Sequence, residues 1–207
     1  MFKISNPEIN SLTNIKYKEL KNKEKLEEYS FSNESINLDK NVEIKVCKFN
    51  GIVFDEVSIK FGNFEDIEFI NCDLSNVNFM DCSFFRVKFE NCKLFGTNFV
   101  DSDFDNVVIK DCMCNLTNIA GLKIQNTKII NSNFKESRLM SCNLKNVIIE
   151  DVNFSNSDII STPLKDIDLS SSNIDNIKVD LNSIKGAVIS FQQSMDLIGL
   201  LGVKIKD

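Results

Sequence analysis

Three short, similar stretches recur ten residues apart and indicate how the chain folds: Asn71-Cys72-Asp73-Leu74, Asp81-Cys82-Ser83-Phe84 and Asn91-Cys92-Lys93-Leu94. A period of five residues underlies them. Every fifth residue from Ile44 to Ile189 is apolar, and these thirty centre positions hold eleven Phe, eleven Ile, six Leu, one Cys and one Val. The residue two places after each centre is most often Asn, Asp or Gly, and these residues favour tight turns.

The residue two places before each centre is Val, Ile, Cys, Thr, Ser, Ala or Gly in all but two units, Leu122 and Asn182. Neither the 3.6-residue period of a helix nor the alternation of a flat strand explains a period of five. A bend in every unit closes a square coil after four units, and successive coils stack about 4.8 Å apart. The thirty units therefore predict an all-β fold, a right-handed quadrilateral parallel β-helix of about 7.5 coils over residues 42–190.

The units resemble those of the pentapeptide repeat family, whose motif is A(D/N)LXX. The matching stretches include Cys72-Asp73-Leu74-Ser75-Asn76, Val77-Asn78-Phe79-Met80-Asp81 and Val152-Asn153-Phe154-Ser155-Asn156. The resemblance covers roughly residues 42–190 without an insertion. It implies the same solenoid fold.

Two segments flank the repeat. Residues 1–41 are predicted to form an N-terminal cap or lead-in, and Asn6-Pro7-Glu8 is compatible with the start of a helix because Pro suits the first helical position. Residues 191–207 are predicted to form a C-terminal helix and a short strand. Ser190 and Gln193 have the spacing of a capping box, Gly202 is a helix stop, and Val203–Lys206 alternates as a strand.

The C-terminal tail is similar to the C-terminal segment of many bacterial members of the family. In the Qnr-type and MfpA-type members, the resemblance implies, such a segment dimerises. A homodimer is therefore expected, with Met195, Ile198 and Leu201 as contacts. The alternative is a helix that only plugs the last coil.

The composition argues against an enzyme. The chain has no histidine, the commonest general base and metal ligand, and it contains neither of the glycine-rich phosphate-binding patterns. Neighbouring carboxylates such as Asp101, Asp103 and Asp105 would need a pocket to act as a catalytic or calcium site, and a filled convex rod offers none. We expect no catalytic residues, no cofactor and no metal.

The charge and the cysteines limit location and partners. A net charge of −6 disfavours direct nucleic-acid binding, and no apolar run is long enough to cross a membrane. An odd number of cysteines without a signal peptide predicts reduced thiols in the cytoplasm. Six of the seven occupy the inward position before a centre, and Cys72, Cys92 and Cys112 should stack in one buried column.

A protein partner is expected on the outside of the rod. The position after the centre on one face is apolar in five consecutive coils, a set that we call the apolar stripe: Met80, Val100, Ala120, Met140 and Ile160. Exposed apolar patches mark interaction surfaces, and methionine suits adaptable ones. Two other interpretations remain open: the N-terminal segment covers the stripe, or the repeat tolerates any residue there.

The family resemblance suggests an alternative partner. Qnr-type and MfpA-type proteins resemble DNA, which implies binding to a type II topoisomerase, DNA gyrase or topoisomerase IV, and protection from quinolones. Residues 55–111 hold twelve acids and five bases, although no face approaches the charge density of a duplex. The acids that would serve a DNA mimic are Glu65, Asp66, Asp81, Asp101, Asp103 and Asp105.

Overall fold

The structure is a computed structural model and describes residues 2–20, 23–38, 41–55 and 57–202, with the backbone alone at residue 201. The strands are β1 (Thr13–Asn14), β2 (Lys25–Glu27), β3 (Tyr29–Ser32), β4 (Ser35–Ile36), β5 (Glu43–Asn50), β6 (Val53–Phe54), β7 (Ser58–Lys60), β8 (Asn63–Ile70), β9 (Asn78–Met80), β10 (Ser83–Glu90), β11 (Asp103–Lys110), β12 (Lys123–Ile130), β13 (Asn143–Glu150), β14 (Asp158–Ile159) and β15 (Lys178–Val179). The helices are α1 (Leu181–Ile184) and α2 (Phe191–Leu197), with 3₁₀ turns at Tyr17–Glu19 and Ile198–Leu201.

The longest strands stack in one parallel sheet. Its order is β1, β3, β5, β8, β10, β11, β12 and β13, and β2 also pairs with β5. From β5 onward each partner lies twenty residues along the chain, so that Glu43 pairs with Asn63 and Asn63 with Ser83. The predicted square coil is confirmed, and the molecule is a right-handed parallel β-helix of about eight turns.

The solenoid begins before the regular repeat does. Leu26 pairs with Ile44, and Phe31 with Phe49, in a coil that is eighteen residues long instead of twenty. The ring of Phe31 stacks on that of Phe49, with centroids 5.1 Å apart. Residues 2–12, which we call the N-terminal strap, have no regular secondary structure. The helix with which Asn6-Pro7-Glu8 is compatible therefore does not form.

The thirty centres fill the interior. All are buried except Leu144, Ile184 and Ile189, which are half-buried. Identical positions stack between coils: the rings of Phe49 and Phe69 lie 5.1 Å apart and those of Phe69 and Phe89 lie 4.9 Å apart. Each stacked pair adds about 0.5–1.5 kcal/mol to the stabilisation that burial provides.

The turn residues explain why Asn, Asp and Gly recur two places after the centres. These positions have left-handed backbone, with φ values of +54° at Asn71, +53° at Asn91 and +64° at Gly96. The left-handed region costs most other residues about 1–2 kcal/mol. Val46 (φ +48°) and Leu116 (φ +59°) occupy it nonetheless, which makes them locally strained.

The inward position before each centre satisfies its polar atoms through the preceding coil. The hydroxyl of Ser102 donates to the carbonyl of Phe79 at 2.9 Å, and that of Thr162 donates to the carbonyl of Leu139 at 2.6 Å. All seven cysteines are buried and unbridged, and the amide of Cys92 donates to Sγ of Cys112 at 3.5 Å. The predicted burial and stacking of the thiols are thus confirmed.

The last coil is closed by helix α2. Ser190 and Gln193 form the predicted capping box. The side chain of Gln193 is buried, and its amide donates to the carbonyls of Leu169 and Ser172 at 2.8 and 2.6 Å. Gly202 ends the segment with φ +68°. The strand predicted for residues 203–206 lies outside the described residues.

Candidate interaction surfaces

The apolar stripe occupies one position in consecutive coils, as predicted from the register. The amide of the residue after each member donates to the carbonyl of the next member: Asp81 to Val100 at 3.1 Å and Asp101 to Ala120 at 3.0 Å. Met140 is 37% exposed, and the other four members are half-buried. The stripe is therefore a continuous, partly accessible apolar row parallel to the rod axis.

The N-terminal strap attaches to a different edge of the rod. The backbone N–H of Glu8 donates to Oδ1 of Asp66, and that of Ser5 donates to Oδ1 of Asn106, each at 2.8 Å. Both acceptors belong to the turn position that recurs every twenty residues from Val46 and forms a column along the rod: Val46, Asp66, Arg86 and Asn106. Neither of these two contacts involves the stripe.

The structure divides the six candidate acids between two places. Asp81 and Asp101 directly follow Met80 and Val100, so they border the stripe. The other four lie on the neighbouring sheet face: Glu65 and Asp66 in β8, Asp103 and Asp105 in β11. The six acids are therefore divided between one corner of the coil and the sheet face that follows it.

The cluster around Arg86 neutralises two of the acids. The guanidinium donates from Nε and Nη2 to the two carboxylate oxygens of Asp66, both at 2.6 Å, and from Nη2 to Glu65 at 3.2 Å. The hydrogen bonds to Asp66 raise the pKa of Arg86 above its ordinary value. Lys45 Nζ lies 3.6 Å from Glu65. Asp66 is only 5% exposed, which makes it a buried ion-pair partner rather than a surface charge.

Three further acids are also held within the chain. Lys123 Nζ lies 3.3 Å from Asp103, and Lys60 Nζ lies 3.7 Å from Asp81. Asp105 accepts hydrogen bonds from the side-chain amides of Gln125 at 2.8 Å and Asn126 at 3.0 Å. Pairing with cations and amides on adjacent coils reduces the field that these acids present to a partner.

The C-terminal end carries the third surface. Met195 is 43% exposed and Ile198 is half-buried, while the side chain of Leu201 lies outside the described residues. Together with Leu181 and Leu197, Met195 and Ile198 line an apolar groove of about 340 Å³.

Sequence reasoning missed Phe191, which is 85% exposed. Phe191 is the first residue of helix α2, directly after the N-cap Ser190. The repeat has ended at this point, so the five-residue pattern carried no signal for its exposure.

The described part of the chain contains neither a cluster of metal ligands nor a helix that could span a membrane. Among residues 2–20, 23–38, 41–55 and 57–202, no three His, Cys, Asp or Glu side chains are grouped so that they could hold a metal ion. In the same part of the chain, no helix has the length and apolar character needed to cross a membrane.

Two family models match the sequence. The model described as "Pentapeptide repeat region" matches residues 42–119, and "Pentapeptide repeats (8 copies)" matches residues 117–156. Together they span more than half of the chain. The chain belongs to the pentapeptide repeat family. As a pentapeptide repeat protein it shares a repeat whose side chains fill a solenoid, which agrees with the geometry above. No curated protein matches the sequence.

Solved structures of pentapeptide repeat proteins are similar at a low level. A trypsin-treated form of QnrB1, a plasmid-mediated fluoroquinolone resistance protein, is 18% identical over 88% of this chain and 99% of that chain, with a TM-score of 0.36. Rfr23 from the cyanobacterium Cyanothece is 17% identical over 59% of this chain and 91% of that chain, also at 0.36. HetL from Nostoc, involved in heterocyst differentiation regulation, is 10% identical over 81% and 90%, at 0.26. TM-scores this low carry no argument about function.

Proposed function

We propose that this pentapeptide repeat protein is a non-enzymatic interaction scaffold that presents a rigid rod surface to a protein partner. The apolar stripe carries the proposal. It is continuous over five coils, and its backbone is fixed by the ladder of hydrogen bonds between successive coils. A partner can therefore bind it without a loss of backbone conformational entropy in this chain. Its two methionines can adapt to the shape of an opposing surface.

The filled interior supports a non-enzymatic role. A void of about 10 Å³ lies beside Phe99, Phe104 and Cys114, about the minimum for one water molecule. Ligand pockets usually enclose about 300–1,000 Å³, so this void could not admit a substrate. Surface recognition is the activity that such a filled rod supports best.

A homodimer through the C-terminal end belongs to the same proposal. The exposed side chains of Leu181, Phe191 and Met195, with Ile198 half-buried beside them, place apolar surface at one end of the rod. Light scattering on the full chain with Met195→Lys tests it. We expect a monomer, whereas the same substitution at Met113, which is exposed on a side of the rod, should leave the dimer intact. A dimer in both variants would place the interface elsewhere.

Topoisomerase binding by DNA mimicry is the second candidate. The family assignment and the C-terminal helix favour it, and the pairing of Asp66, Asp81 and Asp103 with cations weakens it. A gyrase supercoiling assay with and without ciprofloxacin decides the matter. Protection or inhibition that is lost on replacing Asp81 and Asp101 by Asn would establish this function, and no effect at large excess would remove it.

The stripe itself is tested with charged substitutions. Proteins retained from a lysate by the wild-type chain should be lost with Met140→Lys, because a charge disrupts an apolar interface, and retained with Met113→Lys. A partner that tolerates both substitutions, or is lost with both, would contradict binding through the stripe. Retention should also resist high salt, which weakens a charge-dominated interface.

A further inference from the structure

The N-terminal strap is held in a different way from the residues that follow it. The amide of Thr13 joins the backbone ladder by donating to the carbonyl of Glu28 at 2.8 Å. In the strap, the amides of Ser5 and Glu8 instead donate to the side chains of Asn106 and Asp66. The solenoid thus binds this segment as it would bind a peptide.

The geometry of the column matches that of an extended chain. Asp66, Arg86 and Asn106 occupy the same turn position in three consecutive coils, with φ values of +57°, +52° and +57°. Two coil spacings amount to about 9.6 Å, and three extended residues from Ser5 to Glu8 span about 10 Å. The strap therefore runs along the rod axis. The amide of Glu8 lies at the coil of Asp66, and the amide of Ser5 lies two coils further along, at Asn106.

The electrostatics of the column are also complementary to the strap. Asp66 and Asn106 offer acceptor oxygens to backbone N–H groups. Arg86, in the coil between them, is paired with Asp66 and Glu65 and keeps 17% of its side chain exposed. The pKa of Arg86 is raised mainly by its hydrogen bonds to Asp66, and the negative charge of Glu8 raises it further. The backbone N–H of Glu8 and Nε of Arg86 donate to the same oxygen of Asp66, at 2.8 and 2.6 Å. The strap thus supplies two backbone donors, and it brings Glu8 into the neighbourhood of Arg86.

The N-terminal strap packs less tightly on the solenoid than the coils pack on one another. Ile4, Pro7 and Ile9 are only half-buried, whereas the centres of the coils beneath are fully buried. Segments with few buried contacts open locally at low free energy. The column can therefore become accessible while the solenoid stays folded.

We propose that the Asp66–Arg86–Asn106 column is a docking site for an extended peptide segment of a partner protein, and that the N-terminal strap is its intramolecular competitor. This proposal rests on the scaffold function and adds to it a second surface and the kind of segment that the surface takes. The segment is extended, donates backbone N–H groups about 10 Å apart, and carries a carboxylate that faces Arg86.

Hydrogen exchange on the full chain tests whether the strap opens. The amides of Ser5 and Glu8 should exchange at least about tenfold faster than ladder amides of β10. Asn106→Gly removes one acceptor while keeping a residue suited to left-handed backbone, so it should speed exchange at Ser5 further. Asn146→Gly, at the same turn position two coils beyond, is the matched control and should not. Exchange at Ser5 as slow as in the ladder would overturn the proposal.

Competition tests the site itself. A fluorescent peptide of residues 2–12 is titrated into the full chain and followed by anisotropy. In the wild type the tethered strap competes at millimolar effective concentration, so binding should be weak. Glu8→Gln loosens the strap and should tighten binding of the native peptide at least about threefold. Ser11→Lys, which changes the net charge equally, should not.

A second peptide keeps the competition experiment decisive. The same peptide with Gln in place of Glu8 should bind the Glu8→Gln protein at least about threefold more weakly than the native peptide does. Equal binding of the two peptides, or no binding up to about 1 mM, would overturn the proposal. Neither result would affect the scaffold function, because the stripe and gyrase experiments do not involve this column.

Discussion

The guanidinium of Arg86 and the carboxylate of Asp66, one coil apart in the same column, meet in a bidentate contact with both N–O distances at 2.6 Å. The pair is largely covered, with side-chain exposures of 17% and 7%. Its role differs from that of the exposed pairs elsewhere on the rod, because a buried carboxylate without its cation is costly.

Replacing Arg86 by Met should lower the free energy of unfolding by about 2–4 kcal/mol, because it leaves Asp66 charged and covered. Urea denaturation measures the change. Lys123→Met is the control, since it breaks the pair with Asp103 in which both side chains are more than half exposed, and it should cost less than about 0.5 kcal/mol. Equal costs for the two variants would mean that Asp66 is accessible to solvent.

Leu116→Asn should raise the stability by about 1 kcal/mol. Leu116 holds left-handed backbone with φ +59° and exposes 46% of its surface, and Asn tolerates this conformation better. Thermal unfolding gives the comparison. Leu116→Ala keeps the strain and should bring no gain, so an equal gain from both substitutions would show that removing the exposed leucyl group is what matters.

Gln193→Ala should destabilise the C-terminal coil by about 2–3 kcal/mol. It removes the side-chain half of the capping box, in which Gln193 accepts from the Ser190 amide at 2.7 Å. It also removes the side-chain donor to the carbonyls of Leu169 and Ser172, of which the Leu169 carbonyl keeps the backbone N–H of Ser172. Gln192→Ala, one residue earlier and exposed, is the control and should be close to neutral. Hydrogen exchange would localise the loss to the last coils, and a uniform loss along the rod would contradict this assignment.

Acid should remove the contribution of Asp180, the N-cap of α1. The hydroxyl of Ser183, with backbone amides of Ser161, Ser183 and Asn182, lowers the pKa of Asp180 to about 2, below the value of about 3.9 in an unfolded chain. Because the folded pKa is depressed, the stabilisation is complete above about pH 4 and is lost as the pH falls toward 2.

Thermal melts of Asp180→Ala and the wild type should therefore differ above pH 4 and converge near pH 2. Asp180→Asn keeps an N-cap side chain but cannot titrate, so its difference from Asp180→Ala should stay constant across this range. A constant difference between wild type and Asp180→Ala would show that the carboxylate does not titrate in the folded protein with the lowered pKa.

The five-residue period made most of the fold predictable. A repeat in which Phe69 and Phe89 occupy equivalent positions fixes the register of every coil, and the capping box at Ser190 is a local signal. The coil that contains Leu26 and Phe31 escaped prediction because it is two residues short of the period. Long-range contacts without a period, such as Glu8 with Asp66, left no pattern to detect.

The surfaces were less predictable than the core. The twenty-residue register does place Arg86 one coil after Asp66, and Lys123 one coil after Asp103. The net charge of each face does not reveal these ion pairs, because it counts charges without their positions. Whether an exposed side chain packs against a neighbour depends on rotamers that the repeat does not constrain. The stripe, by contrast, follows from the register alone.

The ladder also determines how the rod would respond to mechanical force. Its hydrogen bonds run parallel to the rod axis, as between Asp81 and Val100. A pull on the two ends therefore loads these bonds one coil at a time instead of shearing many together. Each rupture would free a coil of twenty residues, about 70 Å of extended chain. Under tension the molecule should lengthen in a regular series of steps, starting at whichever end is less firmly capped.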